Sequence, residues 1–160
     1  MLILLLMSLT VILGLVDIVI KFWVESSIAR GETREILDGK VQIRKVYNKG
    51  FALNLMEDNA EGVRIVSAYT TVILTIFQCL TLLRKKHLAR KAGLSLMTAG
   101  AWSNTFDRWV RRYVVDYIGF QTKSEKLNRL TFNLGDFFIG MGSVLVLLSM
   151  IFSKSKRKKK

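Results

Sequence analysis

Four long uncharged runs constrain this 160-residue chain more than any other feature: Met1 to Val16, Ile65 to Leu83, Ala92 to Phe106 and Phe137 to Ser153, of 16, 19, 15 and 17 residues. A helix needs about 20 residues to cross about 30 Å of hydrocarbon. Only the second run approaches that length unaided; the others reach it by taking in Asp17 with Lys21, Asp107 with Arg108, and Asp136. The 51% hydrophobic content and mean hydropathy of +0.31 are too apolar for an ordinary soluble domain of this size. The runs therefore predict a mainly α membrane protein, one polytopic domain over 1–160 with transmembrane helices at about 1–24, 63–83, 91–112 and 134–152.

A net charge of +13 raises the question of nucleic acid, and the placement of the charge answers it. Arg84, Lys85, Lys86, Arg90 and Lys91 follow the second run, and Lys154, Lys156, Arg157, Lys158, Lys159 and Lys160 form the tail. Elsewhere 14 basic residues meet 12 acidic ones, a remainder of only +2. Basic clusters flanking spans are positive-inside anchors, and a basic tail also suits anionic lipid. The second-to-third loop and the tail 153–160 are expected in the cytoplasm, and four spans then put the N-terminus there too. The regions Glu25 to Gly62 and Asp107 to Gly135 face outward.

The first run lacks a basic n-region, carries Asp17 and Lys21, and shows no small-x-small cleavage site, so it is expected to stay rather than be removed as a signal peptide. No proline and no internal repeat occurs. In the outward loop at about 25–62, Asp38-Gly39 is a turn signal, and Val41 and Ile43 alternate with polar residues as in a strand; a small extracytoplasmic β element is expected there. Cys79 stands alone in an apolar run and His87 lies in the basic loop, so neither a disulfide framework nor a metal cluster is expected.

Carboxylates beside spans need a reason, because a charge at the bilayer centre costs about 3 kcal/mol on insertion scales. For Asp136 two readings stand on spacing alone. Asn133 caps the last helix with Asp136 in its first turn, or Asp136 does chemistry. Asp17 with Lys21 and Asp107 with Arg111 are i, i+4 pairs, each readable as an ion pair within its helix. Arg108 is in reach of a carboxylate from elsewhere. Gly93, Gly100, Ser103, Asn104 and Asp107 give the third helix a small, polar side, and Asn133, Asp136 and Gly140 give the fourth the same; these sides are expected to face each other at the outer leaflet. Trp102, Trp109, Tyr113 and Tyr117 suit an interfacial aromatic belt, and Asn48 with Gly50 suits a turn.

Taken together, Asp17-x-x-x-Lys21, Asn48-x-Gly50-x-Ala52, Gly100-x-x-x-Asn104-x-x-Asp107-Arg108, Val114-Val115-Asp116 and Phe132-Asn133-x-x-Asp136 occur in one order across the four runs. This order resembles lipoprotein signal peptidase, also called signal peptidase II, over about residues 10 to 150. The resemblance implies an aspartic endopeptidase of the bacterial cell membrane with Asp116 and Asp136 as catalytic dyad. It implies substrate-binding or supporting positions at Asn48, Gly50, Asn104, Asp107, Arg108 and Asn133, and a structural ion pair of Asp17 and Lys21. The implied substrate is a prolipoprotein cut before its diacylglyceryl-cysteine, approached laterally from membrane lipid. No metal or organic cofactor is implied, nucleic acid is not a partner, and a monomer is expected.

The chain departs from the family pattern at several places. Ala99-Gly100 replaces a double glycine, Ser103 replaces the glycine before Asn104, Phe51 is bulky where a small residue is usual, Leu53 replaces a phenylalanine, and Gly135 replaces an alanine. These line the expected site and bear on substrate fit. Two other classes account for some of the same residues: a small four-helix transporter using its acids for protons or cations, and a divergent relative that binds lipidated peptides without cutting them.

Overall fold

The computed structural model describes residues 1–51 and 57–158; Ala52, Leu53, Lys159 and Lys160 lie outside them. Four long helices are present: α1 (Leu2–Ser27), α2 (Ala60–Leu82), α3 (Leu88–Val110) and α5 (Leu134–Lys158). Between them lie β1 (Thr33–Ile36), β2 (Val41–Asn48), a 3-10 turn (Glu57–Asn59), β3 (Val114–Phe120), the one-turn α4 (Glu125–Asn128) and β4 (Thr131–Phe132). α1, α2 and α5 as far as Ser153 are long and apolar enough to cross a membrane. α3 has the length but is more polar.

The reason is that α3 is the inner helix, packed against α1, α2 and α5. Its buried set includes Lys91, Ser95, Ser103, Asn104, Thr105, Asp107 and Arg108, which would be costly in lipid and find hydrogen-bond or ionic partners on neighbouring elements instead. The outer helices are patterned to match. In α1, Leu6, Thr10, Gly14, Asp17, Lys21 and Val24 recur at steps of three and four and are buried, whereas Leu4, Leu15, Val19 and Phe22 are exposed. Small residues set the approach: a Cβ on Gly100 would overlap the Gly135 carbonyl oxygen, and one on Gly93 would stand 2.7 Å from the Gly142 oxygen.

A four-stranded antiparallel sheet in the order β1-β2-β3-β4 packs at one end of the bundle. Leu37, Asp38 and Gly39 take φ of 52°, 56° and 78°, and Lys40 N–H donates to the Leu37 carbonyl at 3.1 Å, so the four-residue turn from Leu37 to Lys40 falls on the Asp-Gly signal. The sheet is larger than the expected outward element. β3 and β4 come from the stretch after α3, where Val114-Val115-Asp116-Tyr117 has the β-branched and aromatic content of a strand. Val115 and Tyr117 join Val24 and Ile28 in a core cluster under one face, so strand alternation turns Val114 and Asp116 to the other face.

Candidate active site

Asp116 and Asp136, twenty positions apart, are brought together by the β3–β4 hairpin. Ile118 pairs with Phe132 and Gly119 with Thr131, so the chain returns antiparallel and delivers Asn133 beside Asp116. Asn133 Nδ2 donates to Asp116 Oδ1 at 2.6 Å, and its main-chain N–H donates to Asp136 Oδ2 at 3.1 Å. Asn133 thus touches both carboxylates. Its own Oδ1 accepts from Asp136 N–H at 2.9 Å, which completes a reciprocal cap on α5 and turns the amide so that its NH2 faces Asp116. The capping and chemical readings of Asp136 do not compete, because one geometry serves both.

The remaining oxygens are also held. Asn48 Nδ2 donates to Asp116 Oδ2 at 3.1 Å, while Asn48 Oδ1 accepts from Gly50 N–H at 3.0 Å. The expected turn at Asn48 and Gly50 is therefore what aims the Asn48 amide. A bulge in β2 between Ile43 and Val46 shifts the register so that Val46 lies opposite Asp116 and Asn48 opposite Val114, on the face that Asp116 shares. Asn104 Nδ2 donates to Asp136 Oδ1 at 2.9 Å. Burial pushes the Asp116 carboxyl up to about 7; the nearby Asp136 charge adds to the rise, and the amides of Asn48 and Asn133 oppose it.

Both carboxylates line a cavity of about 580 Å³ with Asn48, Asn104, Arg108 and Phe51, walled by apolar residues such as Leu74, Met97 and Ile139. A second, more open groove of about 730 Å³ runs from Asp136 along α5 past Phe137, Met141, Val144 and Leu145. Among the described residues Arg108 pairs with no carboxylate. Its Nη2 donates to the Gly50 carbonyl at 2.8 Å, its Nη1 to Ser67 Oγ at 3.3 Å, and its guanidinium lies 5.5 Å from the Phe51 ring centre. Its Nε has no partner among the described residues. Phe51 is part of the cavity wall.

Asp17, Lys21 and Asp107 are fully buried. Lys21 Nζ lies 2.9 Å from Asp17 Oδ2 and 3.7 Å from Asp107 Oδ2, and donates to Ser103 Oγ at 3.0 Å and Asn104 Oδ1 at 2.7 Å. The pair thus ties α1 to α3 rather than only bracing its own helix. Asp107 is paired with Arg111 and accepts from Val115 N–H at 3.0 Å, anchoring the start of β3. Among the described residues no group of three or more His, Cys, Asp and Glu is arranged to hold a metal ion.

Tyr117 departs from its expected place in an aromatic belt. Trp102 and Trp109 are half exposed, but Tyr117 is 3% exposed and its hydroxyl donates to Asp17 Oδ1 at 2.9 Å. The signal was the period-two alternation of β3, which sets residue 117 opposite residue 116. Ser103, on the small polar side of α3, donates to Asp17 Oδ2 at 2.6 Å.

A family model described as signal peptidase (SPase) II matches residues 9–152. The chain belongs to this family. Among relatives of the signal peptidase II family, the lipoprotein signal peptidase of Fusobacterium nucleatum is 30% identical over 149 residues, covering 93% of this chain and 87% of its own length. That of Caldicellulosiruptor bescii is 34% identical over 134 residues, 84% and 78% of the two chains. A bacterial membrane enzyme solved by the in meso method at 2.3 Å resolution shares the fold, with a TM-score of 0.82 at 22% identity over 97% of this chain and 92% of its own. A second, solved at 1.9 Å, gives 0.73 at 21% identity over 91% of each.

Proposed function

We propose that this chain is an intramembrane aspartic endopeptidase that removes the signal peptide from lipid-modified bacterial prolipoproteins, cutting before the diacylglyceryl-cysteine. Family membership supports a peptidase acting on lipoprotein signal peptides. The observation that carries the finer reading is Asn133, which donates to both Asp116 and Asp136 at the wall of a largely apolar cavity. Asn48, Gly50, Asn104, Asp107, Arg108 and Asn133 would bind substrate or support the pair.

Two neighbouring carboxylates resist ionising together and tend to share one proton. The buried charges favour the same count. Among the charges linked to the pair, Lys21, Arg108 and Arg111 are three cations and Asp17, Asp107, Asp116 and Asp136 four carboxyls, so this local group, which leaves aside the distant buried Lys91, is neutral when the pair keeps one proton.

The reaction then balances on two carboxyls and one water. The ionised carboxylate takes a proton from water as its oxygen attacks the scissile carbonyl, and the protonated carboxyl gives its proton to the carbonyl oxygen. The gem-diol collapses when the newly protonated carboxyl gives its proton to the leaving nitrogen, the other carboxylate takes back a hydroxyl proton and the C–N bond breaks, releasing a new amino terminus on the cysteine and a free acid on the signal peptide. Such acid/base action is typically worth about 10² to 10⁴ in rate. No cofactor is required by this balance. The apolar groove along α5 suits lateral entry of a signal helix or acyl chain from lipid.

In the bacterial cell membrane the chain would cross four times as a single domain, with α3 shielded by the other three helices, both termini in the cytoplasm and the sheet outside, working as a monomer. The decisive experiment is release of signal peptide from a diacylglyceryl prolipoprotein by the Asp116→Asn and Asp136→Asn variants in membranes. Loss of cleavage in both is expected, and full cleavage by either overturns the dyad.

A further inference from the structure

Asp136 sits on a circuit of hydrogen bonds, closed through the backbone from Leu134 to Asp136, whose direction is fixed at each step. Lys21 Nζ can only donate; it gives to Asn104 Oδ1 at 2.7 Å and so turns the amide to present Nδ2 to Asp136 Oδ1 at 2.9 Å. Lys21 also donates to Ser103 Oγ at 3.0 Å, which leaves the Ser103 proton for Asp17 Oδ2 at 2.6 Å. The other Asp17 oxygen accepts from the Tyr117 hydroxyl at 2.9 Å, and the Tyr117 oxygen accepts from Leu134 N–H at 3.2 Å. Leu134 opens α5 two residues ahead of Asp136, so the circuit returns to the helical turn where it began.

We infer that Tyr117 and Ser103 are positioning residues whose hydroxyls set the Asp136 carboxylate, through Asp17, Lys21 and Asn104 on one side and through Leu134 on the other. The inference rests on reading Asp116 and Asp136 as the catalytic pair. Neither hydroxyl belongs to the cavity wall, so neither is placed to touch substrate. Burial and the Asp17 carboxylate hold the Tyr117 phenol well above its ordinary value, and it stays a neutral donor. Gly135 is the space that this arrangement needs, since a Cβ there would stand 2.8 Å from Asp17 Oδ2, the oxygen that Ser103 holds. The two departures from the family pattern at 103 and 135 therefore describe one local geometry. Charged groups facing the circuit are Asp17 and Lys21 from α1, Asp107, Arg108 and Arg111 from α3, and Asp116 from β3.

The test is steady-state cleavage of a diacylglyceryl prolipopeptide by the purified full-length chain in detergent, from about pH 5 to about pH 9. For Tyr117→Phe, kcat is expected to fall about tenfold, the effect of losing one hydrogen bond to a charged group. KM stays within about twofold, because the hydroxyl does not meet substrate. The acidic limb of the rate profile moves to higher pH, since the ionised member of the pair is held less well. Ser103→Ala is expected to move kcat and the limb the same way. Adding Tyr117→Phe to Asp17→Asn costs little more than Asp17→Asn alone, because both changes open the same circuit.

An unchanged kcat and pH profile for Tyr117→Phe overturns the inference, as does a lower rate explained by less folded enzyme with the profile unmoved. Asp116→Asn and Asp136→Asn in the same assay separate the two levels. If either retains full cleavage, the catalytic-pair reading fails and the circuit with it. If both are inactive while Tyr117→Phe behaves as the parent, only the circuit fails.

Discussion

At the Asp116 carboxyl, burial and the Asp136 charge together favour the protonated form, bringing its pKa to about 7 from an ordinary 3.8. An acid that must be protonated loses its role as pH climbs through its pKa, so the cleavage rate is expected to fall above about pH 7. A rate that stays flat into strongly alkaline solution contradicts this. The same raised value fixes a stability trend. The folded chain binds this proton more tightly than the unfolded one, so the stability it contributes declines as pH rises from about 3.8 to about 7, and Asp116→Asn flattens that slope in unfolding measured by circular dichroism. Arg108 offers a second test. Its fork joins Gly50, Ser67 and the Asn104 carbonyl, a span one lysine ammonium does not bridge, so Arg108→Lys is expected to lower kcat/KM about tenfold or more with helix content retained.

Among elements, α3 and α5 depend on glycine at their crossing. Gly100→Ala drives a methyl into the Gly135 carbonyl and is expected to cost about 1–3 kcal/mol in detergent unfolding, whereas Gly140, with nothing within 4 Å of a new Cβ, should accept alanine with no loss or a small gain. Equal effects at the two positions would show that the crossing is not as close as described. The helices were legible in the uncharged runs because apolar length is a one-dimensional signal, although α2 starts at Ala60 and α3 ends at Val110, each two or three residues from expectation. The pairing of β2 with β3 was not. It joins segments some seventy residues apart, and a register set by the β2 bulge leaves no trace in local composition. Asp116 and Asp136 were visible through their motifs, but Tyr117 was read as an interfacial aromatic because its hydroxyl partner, Asp17, lies a hundred residues away.

For the whole molecule, the proposed topology sets the exposed α4 segment and the Arg84-Lys85-Lys86 loop on opposite sides of the membrane. Single cysteines at Lys123 and at Lys85, each in a Cys79→Ser background, are expected to label from outside intact cells with their outer wall removed at 123 and to stay protected at 85. Labelling of both, or of 85 alone, refutes the orientation. The buried polar side of α3 also bears on how such a chain is made. Its partners Thr10, Asp17, Lys21, Ser67, Thr71 and Gln78 all precede it in sequence, whereas the contacts of Asp107 with Arg111 and Val115, of Asn104 with Asp136 and of the glycines with α5 come after. As synthesis runs from the amino terminus, the helix least able to enter lipid alone emerges when most of the groups that satisfy it have already been made. Chain order itself then acts as an assembly instruction, and moving α3 ahead of α1 would expose its serines, threonines and Asp107 to hydrocarbon with nothing yet to meet them.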